Sequence, residues 1–186
     1  MIDTKNFYIN GAWVAPLSDR EMEVIDPSTE EVCGVIAIGN QADTDAAVAA
    51  AKAAFDGWSQ TPKARRLELL KKFLKIYQAR NEEMAHAISQ EMGAPIDMAL
   101  TSQAAAGSEH TEGLIDELEK FEFERALNDS APNDRIMYEA IGVCALITPW
   151  NWPMNQVSLK VIAAMAAGCT MVLKPSEIAP LSSLIF

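Results

Sequence analysis

The 186 residues are 49% hydrophobic and 22% charged, which suits one ordinary globular domain or part of a larger one and excludes a disordered chain. A net charge of −11 and a pI near 4.6 weigh against nucleic acid or an anionic membrane surface as partner, because phosphates are repelled over most of the surface. No run reaches the ~18 apolar residues of a membrane span, the start "MIDTKNFYIN" lacks the basic and apolar regions of a leader peptide, and three scattered cysteines without CxxC spacing fit a reduced, cytoplasmic protein.

In chain order, "FYINGAWV" sets Asn10-Gly11 between two alternating apolar runs, a strong hairpin signal. "MEVIDPSTEEVCGVIAIGN" repeats the pattern, with a turn at Asp26-Pro27-Ser28 and a strand from Glu31 to Ile38. Residues 1–40 therefore read as a β-rich arm. Residues 41–127 read as a helical layer. Asp43 is the expected N-cap of the first helix. Thr61 is expected to cap the second, with Pro62 at its first position and Leu67, Leu70, Leu74 and Tyr77 on one face. Asn81 is expected to cap a third helix that stops at Gly93. A long polar helix should then run from Pro95 to about Phe121, weakened by Gly107 and Gly113. "NDSAPNDR" is the clearest turn cluster, and residues 128–186 form a linker strand followed by an apolar segment.

Charge is unevenly spread. Residues 1–60 carry a net −7 and residues 61–140 a net −5, whereas residues 141–186 hold only 3 of the 41 charged residues. Such neutrality suits a parallel strand covered on both faces. Gly142 to Thr148 reads as a strand, Pro149 and Pro153 bracket a loop, Met154 to Ala167 reads as a helix stopped by Gly168, and "TMVLK" reads as a second strand ended by Pro175. Pro180 is expected to open another helix. A strand, a helix and a strand of these lengths imply a parallel pair with a right-handed crossover. The loops "PWNWP" and "KPSE" then leave the same edge of the sheet, the edge at which open α/β sheets bind ligands.

Trp150, Asn151, Lys174, Ser176 and Glu177 should thus converge, although the two groups lie more than twenty residues apart. Lys174 can donate to hydroxyls, and Glu177 can accept two hydroxyl hydrogens from a vicinal diol such as a ribose. A carboxylate there repels a 2′-phosphate, favouring NAD over NADP. Asn151 offers a neutral amide suited to a developing oxyanion. The competing reading is that the tryptophans plug the sheet edge, Asn151 ties down a turn and the two charges solvate the surface. Cys33, Cys144 and Cys169 read as small buried hydrophobes. His86 and His110 have no partners at metal-ligand spacing, so no metal site is expected.

"ITPWNWP" followed by "KVIAAMAAGCTMVLKPSEIAPLS" resembles the cofactor-binding segment of the NAD(P)-dependent aldehyde dehydrogenase superfamily. "FYINGAWV", "VIDPSTEEV" and "AAVAAAKAAFDGW" are similar to that family's N-terminal region, in the same order. The resemblance implies an α/β fold: an N-terminal β-hairpin arm and a helical layer leading into a partial Rossmann-like parallel sheet. It implies the N-terminal, cofactor-binding part of an enzyme that oxidises a small-molecule aldehyde to a carboxylic acid through a cysteine thiohemiacetal, with a homodimeric or homotetrameric parent. It further implies that Asn151 holds the oxyanion, that Ile147, Thr148, Pro149 and Trp150 line the cofactor, and that Lys174 and Glu177 hold the adenosine ribose of NAD with Ser176 nearby. Lys174 and Ser176 leave NADP possible. Trp152 stands where the family often has Phe. The family's nucleophilic cysteine, general-base glutamate and later Gly-rich loop are implied to lie downstream of Phe186, so this chain alone is expected to be inactive. The alternative is a non-catalytic dinucleotide-binding or interaction module with an exposed sheet edge. No GxxxxGK[ST] loop supports a phosphotransferase.

Overall fold

A computed structural model describes residues 5–186; the leader-peptide reading rests partly on residues 1–4, outside the described residues. The arm consists of two antiparallel hairpins, β1 (Phe7–Ile9) with β2 (Ala12–Val14) and β3 (Glu21–Asp26) with β4 (Glu31–Ala37). Asn10 and Gly11 both take positive φ, 53° and 77°, the backbone that a two-residue turn needs to match strand twist. The helical layer follows as α1 (Gln41–Ser59), α2 (Lys63–Ala79), α3 (Asn81–Met92), the short α4 (Ile96–Met98), a π-helical turn over Ala99–Gln103, and α5 (Ala105–Lys120). A third hairpin, β5 (Glu124–Asn128) with β6 (Ala131–Met137), precedes β7 (Val143–Ile147), α6 (Pro153–Ala167), β8 (Thr170–Lys174) and α7 (Leu181–Ile185).

Helix starts differ from expectation by small, explicable amounts. The N-cap of α1 is Asn40, whose side chain accepts from the amides of Ala42 and Asp43. Asp43 closes the capping box from the third position, accepting from Asn40 N (2.9 Å) and also from Leu17 N (2.8 Å), so it ties the arm to the helix. Helix α2 begins at Lys63 after Pro62, without a side-chain cap from Thr61. Asn81 is inside α3 and not its cap, while Gly93 ends that helix in the left-handed region as expected. Of the "NDSAPNDR" turn cluster only Asp129 and Ser130 form the tip of the third hairpin, and residues 131–135 belong to β6 instead; Asn128 Oδ1 tightens the turn by accepting from the amides of Ser130 and Ala131.

The long helix after Pro95 is interrupted. Ala104 N bonds to Ala99 O at 2.9 Å, which closes a π turn, and Tyr77 Oη donates to Ala104 O at 2.7 Å. Gly107 has a packing reason. A Cβ there would lie 2.2 Å from Tyr77 Oη, so the missing side chain makes room for the buried tyrosine.

The larger core joins Val24 and Ile36 of the arm, Met84 and Ile88 of α3, Leu146 of β7, Met154 and Val157 of α6, and Leu181 of α7. A second cluster, Leu70, Ile115, Leu118, Ile162 and Ala166, joins α2 and α5 to α6. Helix α6 is thus packed from both sides, and α1 packs against β7 and β8. Gly168 caps α6 at φ 87°, and Arg66 Nη1 donates to Ala166 O at 2.9 Å, neutralising the carbonyl end of that helix. No helix of the described residues is long and apolar enough to cross a membrane.

Two glycine substitutions separate packing from backbone entropy. Gly107→Ala is expected to cost about 1–3 kcal/mol through the clash with Tyr77. Gly113→Ala, with nothing within 4 Å of the added carbon, should gain about 0.4–1 kcal/mol. Urea unfolding of both variants checks the sign of each.

Candidate functional site

The site follows from one register. β7 and β8 pair in parallel from Val143↔Thr170 to Ile147↔Lys174, so both strands end level. Thr148 N donates to Lys174 O at 3.3 Å, carrying the pairing one step past the last strand residue. The loop 148–152 and the loop 175–180 therefore leave the same edge, and the residues expected to converge do lie there. Ile147 and Trp150 are 67% and 51% exposed at that edge, whereas Thr148 is buried. Pro149 and Asn151 are exposed. Among the described residues the Asn151 amide makes no hydrogen bond.

The second loop supplies the charge. Lys174 Nζ lies 2.6 Å from Glu177 Oε2, with both side chains about half exposed. The Lys174 hydrogen bond, helped by the residue's own amide and by the lysine charge, holds the Glu177 carboxyl below the usual carboxylate range. Glu177 is therefore an anion throughout the neutral range. Such an exposed pair contributes only ~0–1 kcal/mol to stability. Ser176 is buried beneath it, and its Oγ accepts from Ile178 N at 3.2 Å, which tightens the loop.

Two features were not anticipated. Trp152 sits at φ 71°, the left-handed region that non-glycine residues rarely occupy, directly before Pro153 opens α6. Strain of this kind costs ~1–3 kcal/mol and persists only where surroundings enforce it. Here Trp152 N donates to Met92 Sδ at 3.5 Å. The second feature is Glu91, which is 2% exposed. Its Oε2 accepts from Leu181 N, and its Oε1 accepts from Ser182 N at 3.1 Å and Ser182 Oγ at 2.5 Å. Its place on the stripe Met84, Ile88, Glu91, at helical spacing, is the signal in the sequence that could have revealed it.

The three thiols lie elsewhere. Cys33 is half-buried in β4, Cys144 is half-buried in β7 opposite Met171, and Cys169 is buried just before β8, at the end remote from the loops. Cys144 is thus less buried than its apolar strand suggests. Burial raises the thiols of Cys33 and Cys144, the reverse of nucleophile activation. His110 Nε2 lies 2.7 Å from Asn155 Oδ1 and joins α5 to α6, while His86 is exposed. Among the described residues no group of His, Cys, Asp and Glu is arranged to hold a metal ion. A shallow hollow lined by Asp26, Ser28, His86, Ser89, Gln90 and Ile96 shares no residue with the loop edge.

Residues 13–186 match the profile of the aldehyde dehydrogenase family. The chain belongs to that family. It is 50% identical over 184 residues to a 3-succinoylsemialdehyde-pyridine dehydrogenase from a Pseudomonas species, covering 98% of this chain and 38% of the relative. An aldehyde dehydrogenase crystal structure from Bartonella henselae superposes with a TM-score of 0.97 at 54% identity, covering 100% of this chain and 39% of that one. A mutant of aldehyde dehydrogenase C from Pseudomonas syringae, solved with NAD+ and octanal, superposes at 0.94 with 47% identity, covering 98% and 37%. The chain therefore spans well under half the length of the relatives it matches. The α/β architecture expected from the resemblance is the one these relatives share.

Burial pushes the Glu91 carboxyl from its ordinary 4.5 up to about 7, against the opposing pull of the Ser182 and Leu181 donors. A raised value means that the folded chain holds this proton more tightly than the unfolded one. The resulting stabilisation is full below about 4.5 and is lost as pH rises through about 7. The melting temperature of the native chain relative to Glu91→Gln, which cannot titrate, should accordingly fall between pH 5 and pH 8. Paired thermal melts across that range check it.

Proposed function

We propose that this chain is the N-terminal, cofactor-binding part of an NAD-dependent aldehyde dehydrogenase, holding the adenosine half of the dinucleotide on the loops that follow β7 and β8. The observation that carries the reading is the level ending of the two strands at Ile147↔Lys174, which sets the Lys174–Glu177 pair beside the Thr148–Trp152 loop. NAD, when bound, supplies a hydride acceptor for an aldehyde carbon. Every other contribution at this edge comes from the chain's own side chains.

The donor set fits a ribose. Glu177 offers carboxylate acceptors to a vicinal diol, and Lys174 offers ammonium donors to the same hydroxyls while keeping Glu177 ionised. The same negative charge disfavours a 2′-phosphate, so NAD is preferred and NADP is the weaker ligand. Ile147 and Trp150 present apolar surface for the cofactor to cover, with Pro149 limiting the freedom of the loop and Thr148 fixed beneath it. Ser176 shapes the turn that presents Glu177. Asn151, exposed and without a hydrogen-bond partner among the described residues, has a free amide that on this reading donates to the aldehyde oxygen as negative charge develops there. An amide in that role supplies ~3–4 kcal/mol in enzymes where one has been removed. No thiol of this chain lies at the same edge, so on this reading none of Cys33, Cys144 and Cys169 is the nucleophile.

Isothermal titration of NAD into the folded chain tests the reading. Saturable binding should be weakened about tenfold by Lys174→Ala and by Glu177→Gln, a loss near 1.4 kcal/mol each, while NADP binds more weakly and the chain alone oxidises no aldehyde. Binding that is indifferent to both substitutions would place the dinucleotide elsewhere.

A further inference from the structure

The two site loops are held from outside the βαβ unit by consecutive residues of one helix. Glu91 accepts from Leu181 N, Ser182 N and Ser182 Oγ, which fixes the far end of the 175–180 loop. Met92 accepts from Trp152 N, which fixes the far end of the 148–152 loop. The near ends of both loops are set by the strand register and by the Thr148 N to Lys174 O bond. Each loop is therefore anchored at one end by the sheet and at the other by the last turn of α3.

We propose that Glu91 and Met92 are positioning residues for the dinucleotide, acting as a bracket that sets the spacing between the Trp150–Asn151 side and the Ser176–Glu177 side of the site. The proposal rests on the reading of these loops as the cofactor site. Neither residue touches the edge where ligand would sit; they act through Trp152, Leu181 and Ser182.

Three further observations support a bracket over a casual packing contact. The end of α3 is itself fixed. Gly93 takes φ 76°, and a Cβ there would lie 2.8 Å from Pro27 Cγ, so the helix terminus is seated against the turn between β3 and β4. The opposite end of α7 is also tied to the helical layer, because Arg80 Nη1 donates to Ile185 O at 2.8 Å and Phe186 packs against Phe73 with ring centroids 5.1 Å apart. The 175–180 loop thus spans two fixed points. Burial disfavours the ionised form of the Glu91 carboxyl, and among the described residues no Lys or Arg is paired with it. Its three donors all belong to the start of α7, and its electrostatic reach extends to the half-buried Cys33 thiol of β4.

The test compares amide proton–nitrogen spectra, thermal melts and NAD titrations of the 186-residue chain with those of Glu91→Gln, Ser182→Ala and Met92→Leu. The amides of Ser176, Glu177 and Ile178 should move in Glu91→Gln and Ser182→Ala, with those of β7 and β8 unchanged. In Met92→Leu the shifts should fall on Trp150, Asn151 and Trp152. The NAD dissociation constant should rise about tenfold in Glu91→Gln at a temperature well below its melt, a coupling of ordinary size. A lowered melting temperature with unmoved loop amides overturns the proposal, as does unchanged NAD affinity alongside moved ones. Should Glu91→Gln fail to fold, Ser182→Ala, which removes one donor only, decides by the same criteria. Absence of NAD binding by the unsubstituted chain would overturn the cofactor reading, and the amide shifts would still decide whether α3 is the bracket.

Discussion

Parallel strands cannot be joined by a tight turn, so the chain between Ile147 and Thr170 must cross over through a helix before it can pair again. That constraint orders the rest of the molecule. The crossover helix α6 needs cover on its remaining faces, and α2, α5 and the π turn provide it. The sheet needs cover on its other side, and α1 provides that. Because the two strands finish level at Ile147 and Lys174, both outgoing loops open in one direction, and the chain's chemistry-bearing groups collect at one edge. The arm contributes by seating α3, through Pro27 against Gly93, so residues early in the chain help set loops at its far end.

Charge placement follows the same logic. The segment from residue 141 onward is nearly neutral although β7 is only partly covered, with Ala145 and Ile147 exposed, and of its three charged residues two, Lys174 and Glu177, are set together at the edge where the loops leave the sheet. An exposed ion pair of this kind adds little stability. Glu91 is the converse case. It is a buried carboxyl from the charged helical layer, satisfied by backbone and hydroxyl donors and not by a cation. Burial there disfavours its ionised form, while its hydrogen bonds fix the start of α7. The chain belongs to the aldehyde dehydrogenase family and covers well under half the length of the matched relatives.

What the sequence disclosed was whatever depends on local rules. Asn10-Gly11 announced its hairpin because only a few residues tolerate two positive φ angles in succession. Gly93 and Gly168 announced helix ends for the same reason. The βαβ unit was legible from the lengths of its apolar runs and their bracketing prolines, and with it the convergence of Trp150, Asn151, Lys174, Ser176 and Glu177. What stayed hidden depends on tertiary context. Asn40 and Asp43 are both good capping residues, and only the geometry of the arm decides between them. Gly107 reads as a helix breaker until Tyr77 is seen to occupy its missing side chain. The positive φ of Trp152 has no local signature; in the fold it stands at the start of α6 with its amide bonded to Met92 Sδ. Glu91, in "ISQEMGAP", resembles any surface acid unless its register with Met84 and Ile88 is counted.

The most direct measurement is a titration of NAD into the isotope-labelled chain, followed residue by residue through its backbone amides. Shifts should concentrate at 147–152 and 174–178 and saturate together, as one ligand spanning both loops requires. Shifts confined to one loop, or gathered instead around the hollow between Asp26, His86 and Ile96, would contradict a dinucleotide site at the level ends of β7 and β8.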